Sequence, residues 1–188
     1  MRSKKLRIIR NALLVVMALL GVFAVVVAFQ PADYRVTRTA RINATPAMVF
    51  GRVNDFHAWE AWSPWAKLDP SVKNTFDGPA AGTGAAYGWS GNDKVGEGHM
   101  TITNSHPFDL ILIKLDFIRP FASTCATEFT FKPAGEQTEV TWTMTGKKNF
   151  VSKAFCMFMS MDKMVGGDFD RGLAKLKSES EAESARGK

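Results

Sequence analysis

The hydrophobic pattern changes period several times along the chain. An unbroken apolar run from Ala12 to Phe29 comes first, 18 residues long. As a helix it reaches roughly 27 Å, close to the thickness of a bilayer's hydrocarbon core. From Tyr34 to Ile42, Arg and Thr separate Tyr34, Val36 and Ile42, which predicts a strand with one wet face. Thr45 then fits an N-cap and Pro46 a first helical position, with Met48, Val49 and Val53 as the apolar face of a helix. Phe56, Trp59 and Trp62 continue into a second short helix, ended by Ser63-Pro64. Between Val72 and Gly146 the period becomes two. Strands are predicted over 74–77, 85–89, 95–104, 110–118, 124–132 and 139–145, broken at Gly- or Pro-containing turns, as in an antiparallel meander. From Val151 to Lys177 a helical period returns, with Gly166-Gly167 as a kink or a place of close approach. Residues 178–188 have no apolar anchor and read as a disordered tail.

The alternation in the strands gives an inner face. Val140, Trp142 and Met144 alternate with Glu139, Thr141, Thr143 and Thr145. Cys125, Thr127, Phe129 and Phe131 form a second row, Ile111, Ile113, Leu115 and Phe117 a third, and Met100, Ile102, Tyr87 and Trp89 complete it. Three of the five tryptophans, Trp59, Trp62 and Trp65, crowd into the segment before the meander. An apolar sheet face, a tryptophan cluster and a closing helix can enclose a cavity for a hydrophobic molecule. Its candidate lining is Trp59, Trp62, Tyr87, Trp89, Met100, Ile113, Phe117, Phe129, Trp142, Met144, Phe155 and Met159, with Trp142 the foremost of them. The opposing possibility is that the tryptophans fill a core. The methionines of the last helix, Met157, Met159, Met161 and Met164, suit either an adaptable site or ordinary filler.

Charge sharpens the picture at the N-terminus. The net charge is +6, but Arg2, Lys4, Lys5, Arg7 and Arg10 precede the apolar run, leaving 19 basic against 18 acidic residues after it. The remainder is nearly neutral, with no polybasic stripe for nucleic acid. The basic start predicts a cytoplasmic N-terminus, a membrane anchor over residues 11–30 and a domain outside the cytoplasm. A cleaved signal is the rival, but Val27-Ala28-Phe29-Gln30-Pro31 offers no good cleavage site.

Catalytic chemistry is thin. His57, His99 and His106 fall on different predicted elements, and an Asp55–His57 pair lacks a nucleophile. Asp162, Asp168 and Asp170, six and two apart, do not share a face, and no metal-ligand spacing occurs. Gly82-x-Gly84 and Gly96-x-Gly98 read as turns or bulges rather than phosphate loops. Cys125 and Cys156 read as buried thiols or as a disulfide linking a strand to the last helix. No catalytic residue, metal or cofactor is assigned.

Several motifs together resemble a known superfamily. They are Asn54-Asp55-Phe56-His57-x-Trp59-x-x-Trp62-Ser63-Pro64-Trp65, Gly78-Pro79 with Gly82-x-Gly84, Tyr87-x-Trp89-x-Gly91-Asn92, Val95-Gly96-x-Gly98-x-Met100, and the closing Met161-Asp162-x-Met164-x-Gly166-x-Asp168-Phe169-x-x-Gly172-Leu173-x-x-Leu176-Lys177. These, over Tyr34–Lys177, are similar to the bacterial polyketide cyclase/dehydrase-like members of the SRPBCC (START and birch-pollen-allergen-like) superfamily. The resemblance implies an α+β helix-grip fold. Such a fold has an antiparallel sheet of about seven strands, two short helices and a long C-terminal helix, here preceded by one transmembrane helix. Joined to the anchor, which is read from the basic start and the apolar run and is a departure from the soluble cyclases, it gives a basic cytoplasmic start (1–10), an anchor (11–30), a helix-grip domain (31–177) and a tail (178–188), in a protein of the bacterial inner membrane facing the periplasm. The resemblance also implies a lipid, sterol, quinone or polyketide-like ligand between sheet and final helix. Two alternatives stay open. One is a cyclase-like enzyme using Tyr87 as the inward donor; the other is an envelope interaction module whose cavity is filled by its own side chains.

Overall fold

The computed structural model describes residues 2–186. In chain order it contains α1 (Arg2–Phe29), β1 (Asp33–Ile42), α2 (Pro46–Asn54), a 3-10 turn (Phe56–Ala58) and α3 (Trp59–Trp62). β2 (Lys73–Asp77), β3 (Ala86–Ser90), β4 (Glu97–His106), β5 (Leu110–Arg119), β6 (Ser123–Ala134) and β7 (Gln137–Lys147) follow. α4 (Phe150–Cys156) and α5 (Met161–Arg186) close the chain. The elements gather into two compact units, residues 34–147 with 161–186 and residues 2–33 with 148–160.

In the larger unit seven strands form one sheet in the order β1-β7-β6-β5-β4-β3-β2. Each pair from β2 to β7 is antiparallel, as hairpin connections require. On the outer face of the closing pair Thr37 meets Thr143, Thr39 meets Thr141 and Arg41 meets Glu139, a falling register that makes β1 and β7 antiparallel too. This is the helix-grip arrangement that the alternation and the motifs predict. The inner row runs Tyr87–Met100–Leu115–Cys125 and, one layer along, Ile113–Thr127–Met144, then Ile111–Phe129–Trp142.

α5 grips this sheet by one polar and one apolar device. Arg38 lies on the inner side of β1, by parity with Val36 and Ile42. Its guanidinium donates to both Asp162 oxygens (2.7 and 3.1 Å) and to Asp170 (3.1 Å), with buried Gly166 against it. Asp162 and Asp170 therefore do share a stripe of α5, one turn either side of Gly166, and serve as a cation clasp. The clasp holds the Asp162 carboxyl below its ordinary range. Phe169, Leu173 and Leu176 supply the apolar stripe, all buried.

Two expectations change. The helix predicted over Val151–Lys177 is two helices, broken after Cys156, where Met157 N–H and Phe158 N–H turn back onto Ala154 and Phe155 carbonyls. Val151, Phe155 and Phe158, eighteen, fourteen and eleven residues before Phe169, would share its stripe on one straight helix, so it is the break after Cys156 and not the spacing that separates the two sets. Phe155 and Met159, expected on the cavity wall, lie in the smaller unit and are 53% and 44% exposed. Second, α5 runs on to Arg186, through the segment whose composition reads as disordered. Its support there is polar: Glu181 accepts Asn43 N–H at 2.8 Å, Arg52 pairs with Glu183 at 2.7 Å, and Lys177 donates to the Arg41 carbonyl. Both cysteines are free thiols.

Gly172 marks the closest approach of α5. A Cβ built there stands 2.9 Å from the Trp142 ring and 3.1 Å from Pro64 Cδ, both rigid. Overpacking of this kind costs about 1–3 kcal/mol, more than the roughly 1 kcal/mol that alanine adds in helix propensity. Gly172→Ala should lower the urea midpoint, whereas Gly167→Ala, whose Cβ meets only the end of Arg171 at 3.6 Å, should raise it or leave it unchanged.

Candidate ligand site on the inner face of the sheet

The tryptophan motif has a local structural cause. α2 ends at Asn54 and leaves carbonyls without helical partners. Trp59 Nε1–H donates to the Val53 carbonyl (2.9 Å) and Trp62 Nε1–H to the Arg52 carbonyl (3.0 Å). Spacing three thus places two indoles as caps for one helix end, with their rings directed into the core. Pro64 of the same motif abuts Gly172, and Trp65 stands edge-on to Trp142 and Phe169.

Inside, the aromatic rings close on one another. Trp142 stacks on Phe169 at 3.9 Å and 7° and on Phe129 at 4.9 Å and 27°. Trp62 meets Trp142 edge-on at 5.8 Å, and Trp59 lies 4.6 Å from Trp62. Trp142 is 2% exposed, and its Nε1 has no hydrogen-bond partner among the described residues. With Met100, Ile113 and Met144 also buried, seven of the candidate residues (Trp59, Trp62, Met100, Ile113, Phe129, Trp142 and Met144) belong to a single packed core.

Tyr87, Trp89 and Phe117 are different. They are half-buried, as is Leu115, and they line one end of the inner face. Tyr87 and Trp89 stack at 6.0 Å, and Phe117 meets Trp89 edge-on at 6.0 Å. Gly98 makes this possible: a Cβ there stands 2.6 Å from the Trp89 ring and 2.6 Å from the Asp116 carbonyl. α5 covers the other end, against α2, α3, β1 and β7. In its first turns Met161 and Val165, eight and four residues before Phe169, are half-buried against the core. The Tyr87–Trp89–Phe117 end is apolar and shaped by rigid rings, so it can hold an apolar body by contact alone.

A loop staple positions it. Asp69, almost fully buried, accepts from Ser71 N–H (2.9 Å), Ser71 Oγ–H (2.7 Å) and Asn92 N–H (2.7 Å). It thereby fixes the turn whose Val95 carbonyl accepts Trp89 Nε1–H at 2.9 Å. Neither Asp69 nor Arg38 was singled out by sequence reasoning. For Arg38 the signal existed in its strand parity and in the four-residue spacing Asp162-Gly166-Asp170. Asp69 sits in an irregular loop and gave none.

The titratable candidates face elsewhere. Tyr87 Oη–H donates to Asn74 (2.9 Å), and burial, with the Glu60 charge adding, raises the phenol above its ordinary range. His57 Nδ1 pairs with Asp55 at 2.8 Å while its ring stacks on Phe76 at 4.1 Å. A pocket of about 250 Å³ opens beside it, lined by Phe56, Phe76, Gly78, Pro79 and Ala85 among others. That is below the roughly 300–1,000 Å³ of drug-sized ligand sites, too small for a long lipid. His99 pairs with Asp116 at 3.2 Å on the outer face, and His106 meets Asn104 at 3.3 Å. Among the described residues no three His, Cys, Asp or Glu side chains group to hold a metal.

The comparisons fit this geometry. The sequence profile of the family "Polyketide cyclase / dehydrase and lipid transport" matches residues 33–181, and the chain belongs to that family. No curated protein shows a significant sequence match. A protein of Nitrosospira multiformis is similar in structure, with TM-score 0.58, 20% identity, and coverage of 81% of this chain and 99% of that one. The Aha1 dimer of Colwellia psychrerythraea gives TM-score 0.57 at 14% identity, covering 79% and 96%. DynU16, a putative protein of the dynemicin biosynthetic locus, gives 0.53 at 14%, covering 77% of this chain and 46% of that one. At these identities the likeness is one of fold.

Two consequences are measurable. Truncating Phe129 or Trp142 to alanine should cost about 3–5 kcal/mol in urea unfolding, since each leaves a large hole in a packed stack. Asp69 is held below the ordinary carboxylate pKa of 3.8 by the Ser71 hydroxyl first and then by the Asn92 and Ser71 amides. The native state binds its proton less readily than the unfolded chain. Its stabilisation is therefore present above the ordinary carboxylate range and lost as pH falls through it. Asp69→Asn should lower the Tm at neutral pH, and its gap from the parent should narrow below about pH 4.

Proposed function

We propose that this protein binds a hydrophobic small molecule, a lipid or lipid-like metabolite, at the half-buried end of its sheet while α1 anchors it to a membrane. The observation that carries the reading is the contrast along one apolar face. Phe129, Trp142 and Phe169 fill one end with their own rings, whereas Tyr87, Trp89, Leu115 and Phe117 leave the other half-covered. Half-covered aromatic surface gains free energy when an apolar body covers it. At about 0.8 kcal/mol per methylene, ten methylenes supply about 8 kcal/mol, the free energy of micromolar binding.

α1 supports the tether. Lys4–Phe29 is long and apolar enough to cross a membrane, and the same features also suit a signal sequence. The five basic residues before the run favour a cytoplasmic N-terminus, with the sheet on the periplasmic side of a bacterial inner membrane. Phe29 and Asp33 are four residue steps apart, at most about 14 Å when extended, so an uncleaved α1 keeps the start of β1 within that reach of its end. The family description, which names lipid transport beside cyclase chemistry, agrees with such a ligand.

The stacked core favours a second reading, an interaction module that takes no ligand. Native mass spectrometry of the full chain, released gently from membranes, separates the two. A stoichiometric adduct that solvent extraction removes, and that Trp89→Asp or Phe117→Asp abolishes in a folded protein, is the result expected. A bare mass after incubation with membrane extract contradicts ligand binding and leaves the interaction module.

A further inference from the structure

The smaller unit carries side chains that neither the sheet nor the ligand site uses. Between Gly146 and Met161 the chain has three lysines, no acidic residue, and Phe150, Val151, Phe155, Met157, Phe158 and Met159. These apolar side chains point outward; Phe158 is 80% and Val151 63% exposed. Contiguous aromatic surface of this kind is costly in water and marks a place where something apolar covers it.

The structure indicates what covers it. α4 packs on the last turns of α1, where Val27 is fully buried. Lys153 Nζ donates to the Ala28 carbonyl at 3.1 Å, satisfying a helix-end group that has no helical partner and placing positive charge at the C-terminal end of α1. Lys148 N–H donates to the Ala32 carbonyl at 2.8 Å, and Asn149 caps α4 by accepting Ser152 N–H at 2.8 Å. The phenylalanine patch is thus fastened to the end of the one described helix that has the length and composition of a membrane span.

We propose that residues 148–160 form a second membrane-contacting element, which inserts Phe150, Val151, Phe155 and Phe158 at the headgroup–acyl boundary of an anionic bilayer beside the end of α1. The proposal rests on reading α1 as a membrane span. Aromatic and aliphatic side chains interleaved with lysines match such an interface: the rings enter the acyl boundary and the ammonium groups meet anionic headgroups.

The chain carries its own probe. Cys156 lies within α4, while Cys125 is buried and its thiol is pushed up to about 11, chiefly by burial, so a maleimide at neutral pH selects Cys156. The full chain, labelled there with a polarity-sensitive fluorophore, is reconstituted into vesicles of phosphatidylcholine with a minor share of phosphatidylglycerol. The expected result is blue-shifted emission, strong quenching by a doxyl group near the lipid headgroup and several-fold weaker quenching by aqueous iodide. Phe155→Ser with Phe158→Ser should reverse that preference while the protein still floats with the vesicles. Flotation with iodide-accessible, lipid-inaccessible emission overturns the proposal and leaves the α1 anchor standing. Shielding from both quenchers overturns it in favour of a protein cover. Failure to float removes the anchor and the proposal together.

Discussion

The indole of Trp142 touches the three layers of the larger unit at once. It lies flat between Phe129 of the neighbouring strand and Phe169 of α5, receives the edges of Trp59, Trp62 and Trp65, and has Gly172 and Pro64 at its rim. Removing any of these partners leaves the others facing a void that cannot relax, because rings stacked on both sides have nowhere to move. This stack sets the depth at which α5 crosses the sheet. It also decides which part of the inner face is spent on stability and which part is left for a guest. The polar clasp of Arg38 on Asp162 and Asp170 works with it by fixing the first half of α5 along β1.

Much of the fold was legible because alternation in a sheet is a strong signal. Tyr87, Met100, Leu115 and Cys125 fall in one row across four strands, as their parity requires. The seven strands lie within a few residues of their predicted places, and the motifs carried the helix-grip arrangement. The candidate site was legible only as a list of inward-facing residues. Parity says that Trp142 and Trp89 share a face; it does not say that Phe169 stacks on one and leaves the other half-covered. That distinction depends on the path of α5, which Gly172 and the Arg38 clasp determine through contacts remote in sequence.

The misread segments share a cause. In residues 151–159 the helical period locates apolar positions, yet their side chains face outward on α4. In residues 178–186 the polar composition reads as disorder, yet Glu181 and Glu183 meet an amide and a guanidinium that no local pattern announces. Hydrophobic periodicity locates faces; it does not identify the partner of a face.

The central claim is positional: an apolar guest lies at the Tyr87–Trp89–Phe117 end and not within the Trp142 stack. Methyl-methionine NMR tests this directly, because Met100 is the cross-strand partner of Tyr87, Met144 lies two residues from Trp142 on β7, and Met48 belongs to α2. Titration with a spin-labelled long-chain fatty acid should broaden Met100 ahead of Met144 while leaving Met48 sharp. Broadening that spares Met100, or that reaches Met144 or Met48 first, would contradict the account.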